Sequence, residues 1–208
     1  VKLLLARHGN TFEDGVEPYM VGRNEDPPLT AKGEAQAEAL AACLQRSGVK
    51  PDVVFCGPLK RTRRMASIVA STLALPQPVI AASLTELDYG TWSGLTAGDI
   101  KARFGLSEYE AWEHHSIMPA NRGWQPDTAQ LLQDLYLWID TLPETGTALA
   151  ITSNGILRFL PHVLGIPESA LPTANLKVKT GHLCGFTRLQ GAWNLDFWNA
   201  DPLKLKQI

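Results

Sequence analysis

A short apolar run, Leu3 to Ala6, leads directly into Arg7, His8 and Gly9. Two other stretches have the same form. Asp52 to Cys56 runs into Gly57-Pro58 and then Arg61, and Thr147 to Thr152 runs into Ser153-Asn154-Gly155. Each places charged or turn-forming residues where a buried strand would end. A neutral imidazole is a nucleophile, and a guanidinium offers a planar pair of donors that matches a phosphoryl group. A histidine held just past a strand, with arginines near it, therefore suits phosphoryl chemistry. Gly9 would let the chain turn and let a ligand approach its N–H closely. The three residues alone also fit a blander arrangement, in which the arginine pairs with a carboxylate and the histidine satisfies a local hydrogen bond.

The elements that must position these residues follow from periodicity. Lys2 to Ala6, Asp52 to Cys56 and Thr147 to Thr152 read as short buried strands. Residues 12–29 carry Gly15, Pro18, Gly22, Pro27 and Pro28, which predicts a long loop. Thr30 caps a helix that runs to about Ser47 and stops at Gly48. A second helix follows GPL, with Met65, Ile68, Val69 and Thr72 on its inner side and Arg61, Arg63 and Arg64 in its first turns. Basic residues there oppose the helix dipole, so Arg63 and Arg64 either face an anion or reach out to solvent. Short helices are expected near 96–102 and 106–114, and longer ones from Asp127 or Thr128 to Thr141 and over 155–163. Leu183 to Leu189 and Leu176 to Lys179 are expected as late strands forming a hairpin. Strands alternating with helices predict an α/β domain, with a mostly parallel central sheet and helices on both faces. One domain over 1–208 is expected, with an excursion at about 84–125 that covers a pocket. Trp92, Tyr109, Trp112 and Trp124 in or near that excursion serve either to stack on an organic group or to pack the core.

Composition narrows the function. Nineteen basic and 21 acidic residues leave a formal charge of -2, without the basic surplus of a nucleic-acid binder. Three scattered cysteines, Cys43, Cys56 and Cys184, with no CxxC pair, suit a reduced, cytoplasmic setting. The apolar start is too short for a signal-peptide core or a membrane span. No membrane partner is expected, and a homodimer is left open.

Taken in order, the motifs resemble those of the histidine phosphatase superfamily, also called the phosphoglycerate mutase-like family. LLLARHGNT is similar to the family's hallmark, and GPLKRTRRMA to its small-residue-Pro-Leu-x-Arg stretch. EDPPLTAKGEAQA, LTELDYGTWSG and ITSNGILRF resemble the turn and helix start, the acidic segment and the last motif. The resemblance implies a phosphoglycerate mutase-like three-layer fold. It implies that His8 accepts the phosphoryl group, that Arg7 and Arg61 bind it, and that Glu86 protonates the leaving group. It places Asn10, Thr11, Arg23 and Asn24 at the mouth, and Asn154 and Gly155 beside the phosphate. No cofactor and no metal is implied, since arginines meet the developing charge.

The chain departs from the family at ITSNG. Family members have histidine before that glycine, and here Asn154 stands in its place. Asparagine keeps a donor of similar reach and loses any positive charge, which would reduce electrostatic help in the transition state. His114, His115, His162 and His182 each read first as structural residues, and His115 is the one left as a candidate substitute. Gly57 in place of a serine, and RGWQPDT in place of Gly-Glu-Ser, are milder departures. The expected activity is metal-independent hydrolysis of a small organic phosphate ester through a phosphohistidine. The alternatives are mutase-type phosphoryl transfer, or a weakly active or inactive phosphate- or partner-binding protein.

Overall fold

The structure is a computed structural model that describes residues 1–173 and 175–208. Its strands are β1 (Lys2–Arg7), β2 (Val53–Cys56), β3 (Val79–Ile80), β4 (Thr147–Thr152), β5 (Leu183–Leu189) and β6 (Ala192–Ala200). Its α-helices are α1 (Ala31–Arg46), α2 (Lys60–Thr72), α3 (Ala97–Phe104), α4 (Leu106–His115), α5 (Thr128–Ile139), α6 (Asn154–Leu157) and α7 (Leu160–Val163). The strands form one sheet in the order β3-β2-β4-β1-β5-β6. The pairs β3–β2, β2–β4 and β4–β1 are parallel, whereas β1–β5 and β5–β6 are antiparallel. This is the expected mixed α/β architecture with a mostly parallel sheet.

Alternation along the strands builds a core on each face. Leu4, Ala6, Val54, Cys56, Leu149 and Ile151 pack with Ala37, Leu40, Leu44, Met65 and Val69 of α1 and α2. Leu3, Leu5, Phe55, Ala148 and Ala150 point the other way, toward Leu131, Leu135 and Trp138 of α5. Thr30 caps α1 by accepting from the Gly33 N–H at 3.1 Å. The three strands β2, β4 and β1 are neighbours, so the residues just past their carboxyl ends meet at one edge of the sheet, where open α/β sheets bind ligands.

Four local expectations need correction. Leu176 to Lys179 is not a strand, and the hairpin is β5–β6. The helix expected over 155–163 is split into α6 and α7, because Pro161 has no N–H to continue the ladder. Thr72 is exposed, and Thr62, Ala66 and Ala70 occupy the inner side of α2 with Met65 and Val69. Gly9 has no need of an unusual backbone angle. A Cβ on it would strike the Gly33 backbone, and one on Gly33 would strike Asn10, so the pair lets the loop after β1 cross the start of α1.

Residues 88–125 pack over the end of the sheet. Tyr89, Trp92, Trp112 and Trp124 are buried there in edge-on contact, with Trp112–Trp124 centroids 4.7 Å apart and Trp92–Trp124 centroids 5.3 Å apart. Trp92 and Trp124 serve the core, while Tyr109 and Trp112 also line the cavity below. Among the described residues no helix is long and apolar enough to cross a membrane.

Candidate active site

His8 follows β1 directly, and its N–H donates to the Thr152 carbonyl at 3.0 Å, which carries the β1–β4 pairing one residue further. Its Nδ1 lies 2.8 Å from the Gly9 carbonyl oxygen. A carbonyl can only accept, so Nδ1 holds the proton and Nε2 keeps its lone pair. Burial, then Arg7 and Arg61, push the His8 pKa well below the ordinary 6.5. The imidazole is therefore neutral at neutral pH, with its nucleophilic nitrogen unprotonated.

Both arginines are held by main-chain oxygens. Arg7 Nη1 donates to the Val178 carbonyl at 2.7 Å. Arg61 is 2% exposed and donates to the Gly22 carbonyl at 2.7 Å and the Glu25 carbonyl at 3.1 Å. Burial pulls both guanidinium pKa values down, and Glu86 pushes them back. The loop that grips Arg61 turns at Gly22, where φ is +66° and an added Cβ would crowd the Leu87 carbonyl. Arg23 and Asn24, expected at the mouth, are exposed and do not line the cavity, because this loop turns its carbonyls inward to Arg61. Arg63 and Arg64 also face outward, and Arg64 pairs with Glu34 at 2.6 Å.

Glu86 is 6% exposed. One carboxylate oxygen accepts from the Leu87 N–H at 2.9 Å, and the other from the Gly155 N–H at 3.4 Å. The Tyr89 hydroxyl also bonds to this carboxylate. Burial and Glu86 push the Tyr89 pKa well above its usual value, so the phenol remains a donor. A Cβ on Gly155 would strike the Glu86 carboxylate and the Tyr89 hydroxyl. Gly155 thus serves the site by its missing side chain and its N–H, and does not itself line the cavity.

Asn154 begins α6 and lines the cavity. Its Oδ1 accepts from the Val178 N–H at 2.8 Å, which orients the amide and turns Nδ2 away from Val178. Asn10 donates its N–H to Gln36 Oε1 at 2.8 Å, and its Oδ1 accepts from the Thr180 hydroxyl. Asn10 and Thr11 both line the cavity. His115 is exposed and absent from the lining, because it ends α4 on the solvent side. His182 is the histidine that joins His8 in the lining, with Nδ1 2.9 Å from the Asn199 carbonyl.

Arg7, His8, Asn10, Thr11, Arg61, Glu86 and Asn154 thus share one cavity of about 810 Å³. That is far more than one phosphate needs, and the size suits an organic group as well. Phe12, Tyr19, Met20, Leu95, Ile100 and Tyr109 give part of its wall an apolar surface. Sequence reasoning missed Arg158 and the strap 177–182, which lines the cavity through Lys177, Lys179 and Thr180, and it placed the strap's His182 behind His115. KVKTGH is a basic, turn-containing stretch before a strand, and that was its only local signal.

Comparison with known proteins fits this geometry. The family described as "Histidine phosphatase superfamily (branch 1)" matches residues 3–201. A 2,3-bisphosphoglycerate-dependent phosphoglycerate mutase from Methylobacterium radiotolerans is 32% identical over 186 residues, 86% of this chain and 85% of that protein. The alpha-ribazole phosphatase of Shigella flexneri has a similar structure, with a TM-score of 0.74, 25% identity and 99% coverage of both chains. A mycobacterial glucosyl-3-phosphoglycerate phosphatase, at 22% identity and TM-score 0.76 over 96% of this chain and 99% of that one, shares the fold.

Proposed function

The chain belongs to the histidine phosphatase superfamily and is an enzyme of that phosphatase class, and from that premise we propose that it hydrolyses a small organic phosphate monoester through a phosphohistidine. The observation that carries the reading is the buried, neutral His8, with Nδ1 occupied by the Gly9 carbonyl, in one cavity with Arg7, Arg61 and Glu86.

In this mechanism Arg7, Arg61 and Asn154 hold the phosphoryl oxygens. The His8 Nε2 lone pair attacks phosphorus, forming a P–N bond as the ester P–O bond breaks. Protonated Glu86 gives its proton to the departing oxygen, which would otherwise leave as an alkoxide. Water then attacks phosphohistidine, the Glu86 carboxylate takes a proton from it, and His8 and inorganic phosphate are released. Residues 13–18 are exposed and rim the cavity, and an exposed rim favours water as the acceptor of the phosphoryl group. The mutase name carried by relatives supports a second reading, in which the organic product is retained and rephosphorylated.

The test is a panel of alkyl and aryl phosphates without added metal, followed by trapping of labelled phosphohistidine. Conversion of one phosphoglycerate isomer to the other, primed by 2,3-bisphosphoglycerate, tests the mutase reading. Release of phosphate supports a phosphatase, and isomer exchange without release overturns it in favour of a mutase. Absence of both, with phosphate binding intact, leaves a binding protein.

Asn154→His belongs in the same panel. The Val178 N–H would require the new Nδ1 to accept, which keeps the ring neutral and leaves Nε2–H as a longer-reaching donor into the cavity, so the difference expected from the sequence, charge at similar reach, is corrected to reach without charge. The expected gain is about tenfold in kcat, from reach rather than from charge. A lower rate in this variant would mean that the pocket is built around asparagine. Gly155→Ala is expected to lower kcat by roughly 10²-fold, since its methyl group displaces Glu86 from its working position. Unchanged kcat there would remove Gly155 as the reason for Glu86's placement.

A further inference from the structure

Glu113 stands in the last turn of α4, and its carboxylate joins three parts of the molecule. Oε2 accepts from Arg158 Nη2 at 3.2 Å, and Oε1 accepts from Lys177 Nζ at 2.9 Å. Arg158 follows α6, is 2% exposed, and also donates to the Trp112 carbonyl at 2.5 Å and the Glu113 carbonyl at 3.1 Å. A cation at these last-turn carbonyls is favoured by the helix dipole. Its guanidinium lies over the Trp112 ring, 4.5 Å from the centroid. Burial pushes the Glu113 carboxyl up, but Lys177 and Arg158 overcome this and hold it below its ordinary value.

Lys177 precedes Val178, whose peptide groups hold two residues of the site. The Val178 N–H donates to Asn154 Oδ1 at 2.8 Å, and its carbonyl accepts from Arg7 Nη1 at 2.7 Å. The orientation of an arginine and of an amide at the phosphoryl position therefore depends on where this strap lies. We propose that Glu113 is a positioning residue: through Lys177 it ties the strap that orients Arg7 and Asn154 to the cover helix α4, and through Arg158 it ties the end of α6, which carries Asn154, to the same helix. This rests on the phosphatase reading, in which Arg7 and Asn154 hold the phosphoryl group. Glu113 lines the same cavity but touches no reacting atom in that scheme. Its effect is on geometry, where a displacement of about 1 Å can cost 10² in rate.

The test combines Glu113→Gln, Lys177→Met and their double variant. Arg158 is left in place, since removing a buried cation risks the fold. Three readouts are taken: kcat/KM on an aryl phosphate, orthovanadate affinity and Tm. Each single variant is expected to lose about tenfold in kcat/KM and in vanadate affinity, and the double variant no more than either single one, because both break the same link. Lys177→Arg, which can still reach the carboxylate, is expected to restore most of the loss. Unchanged kcat/KM and vanadate affinity with a lowered Tm would reduce Glu113 to a stabilising contact. Additive losses, near a hundredfold in the double variant, would separate the two residues and overturn the proposal. A wild type without turnover would instead refute the phosphatase reading, and the positioning role would then be judged on vanadate affinity alone.

Discussion

Replacing His8 with asparagine is expected to abolish phosphohistidine formation and to lower turnover by roughly 10⁴-fold or more, because among the described residues His8 is the cavity histidine buried under the influence of both arginines, whereas His182, whose Nδ1 also meets a carbonyl, is only half-buried. Orthovanadate binding should persist, since the oxygens that fix Arg7 and Arg61 do not depend on the imidazole. Retained turnover with a trapped phosphoryl group on another residue would overturn the role of His8. A pH signature accompanies this residue. Burial and the two arginines push its pKa well below 6.5 in the folded protein. The His8 imidazole thus stays neutral as pH passes through 6.5, and kcat/KM should show no His8-dependent fall near that pH. The sign for stability follows from proton uptake. Below about pH 6.5 the unfolded chain protonates this imidazole and the folded protein does not, so stability falls as pH drops from there toward the folded value. Above 6.5 both forms are neutral and the contribution vanishes. The His8→Asn variant should therefore lose less Tm than the wild type between pH 7 and pH 5.5.

Glu86→Gln is expected to reduce kcat by about 10² to 10⁴-fold on an alkyl phosphate and far less on nitrophenyl phosphate, whose leaving group needs little protonation. The carboxylate accepts from the Leu87 N–H, the Gly155 N–H and the Tyr89 hydroxyl, all of them donors. An amide presents its NH₂ to one of these donors, so some disturbance is unavoidable. Phosphate affinity controls for it. A leaving-group-dependent loss with affinity kept assigns the proton to Glu86. Equal losses on both esters would remove Glu86 as general acid.

Much of the scaffold could be read from local pattern. Short continuous apolar runs marked β1, β2 and β4, and Thr30 marked the start of α1, because a strand buried on both faces and a helix cap are both written in residues adjacent in the chain. The misreadings lie where local preference is weak. Val79–Ile80 is too short to show a period, and β6 is a half-exposed edge whose place is set by pairing with β5. Leu176 to Lys179 has strand-like composition but spends its peptide groups on Arg7, Asn154 and Asn199.

The candidate site divides in the same way. Arg7, His8, Arg61 and Glu86 were legible because each sits in or beside a recognisable motif, and the order of the motifs carries the family. Their shared cavity could not be read from residue types, and neither could the exclusion of Arg23, Asn24 and His115 from it. Arg23 looks like a phosphate ligand until the loop turns its carbonyls toward Arg61, and His115 looks like a spare imidazole until α4 ends with it in solvent. Sequence by itself determined which groups were available, since side-chain chemistry and strand-end positions are local properties. Tertiary structure decided which of them face the shared cavity, because that depends on contacts such as Val178 with Arg7 and Asn154, which join residues far apart in the chain.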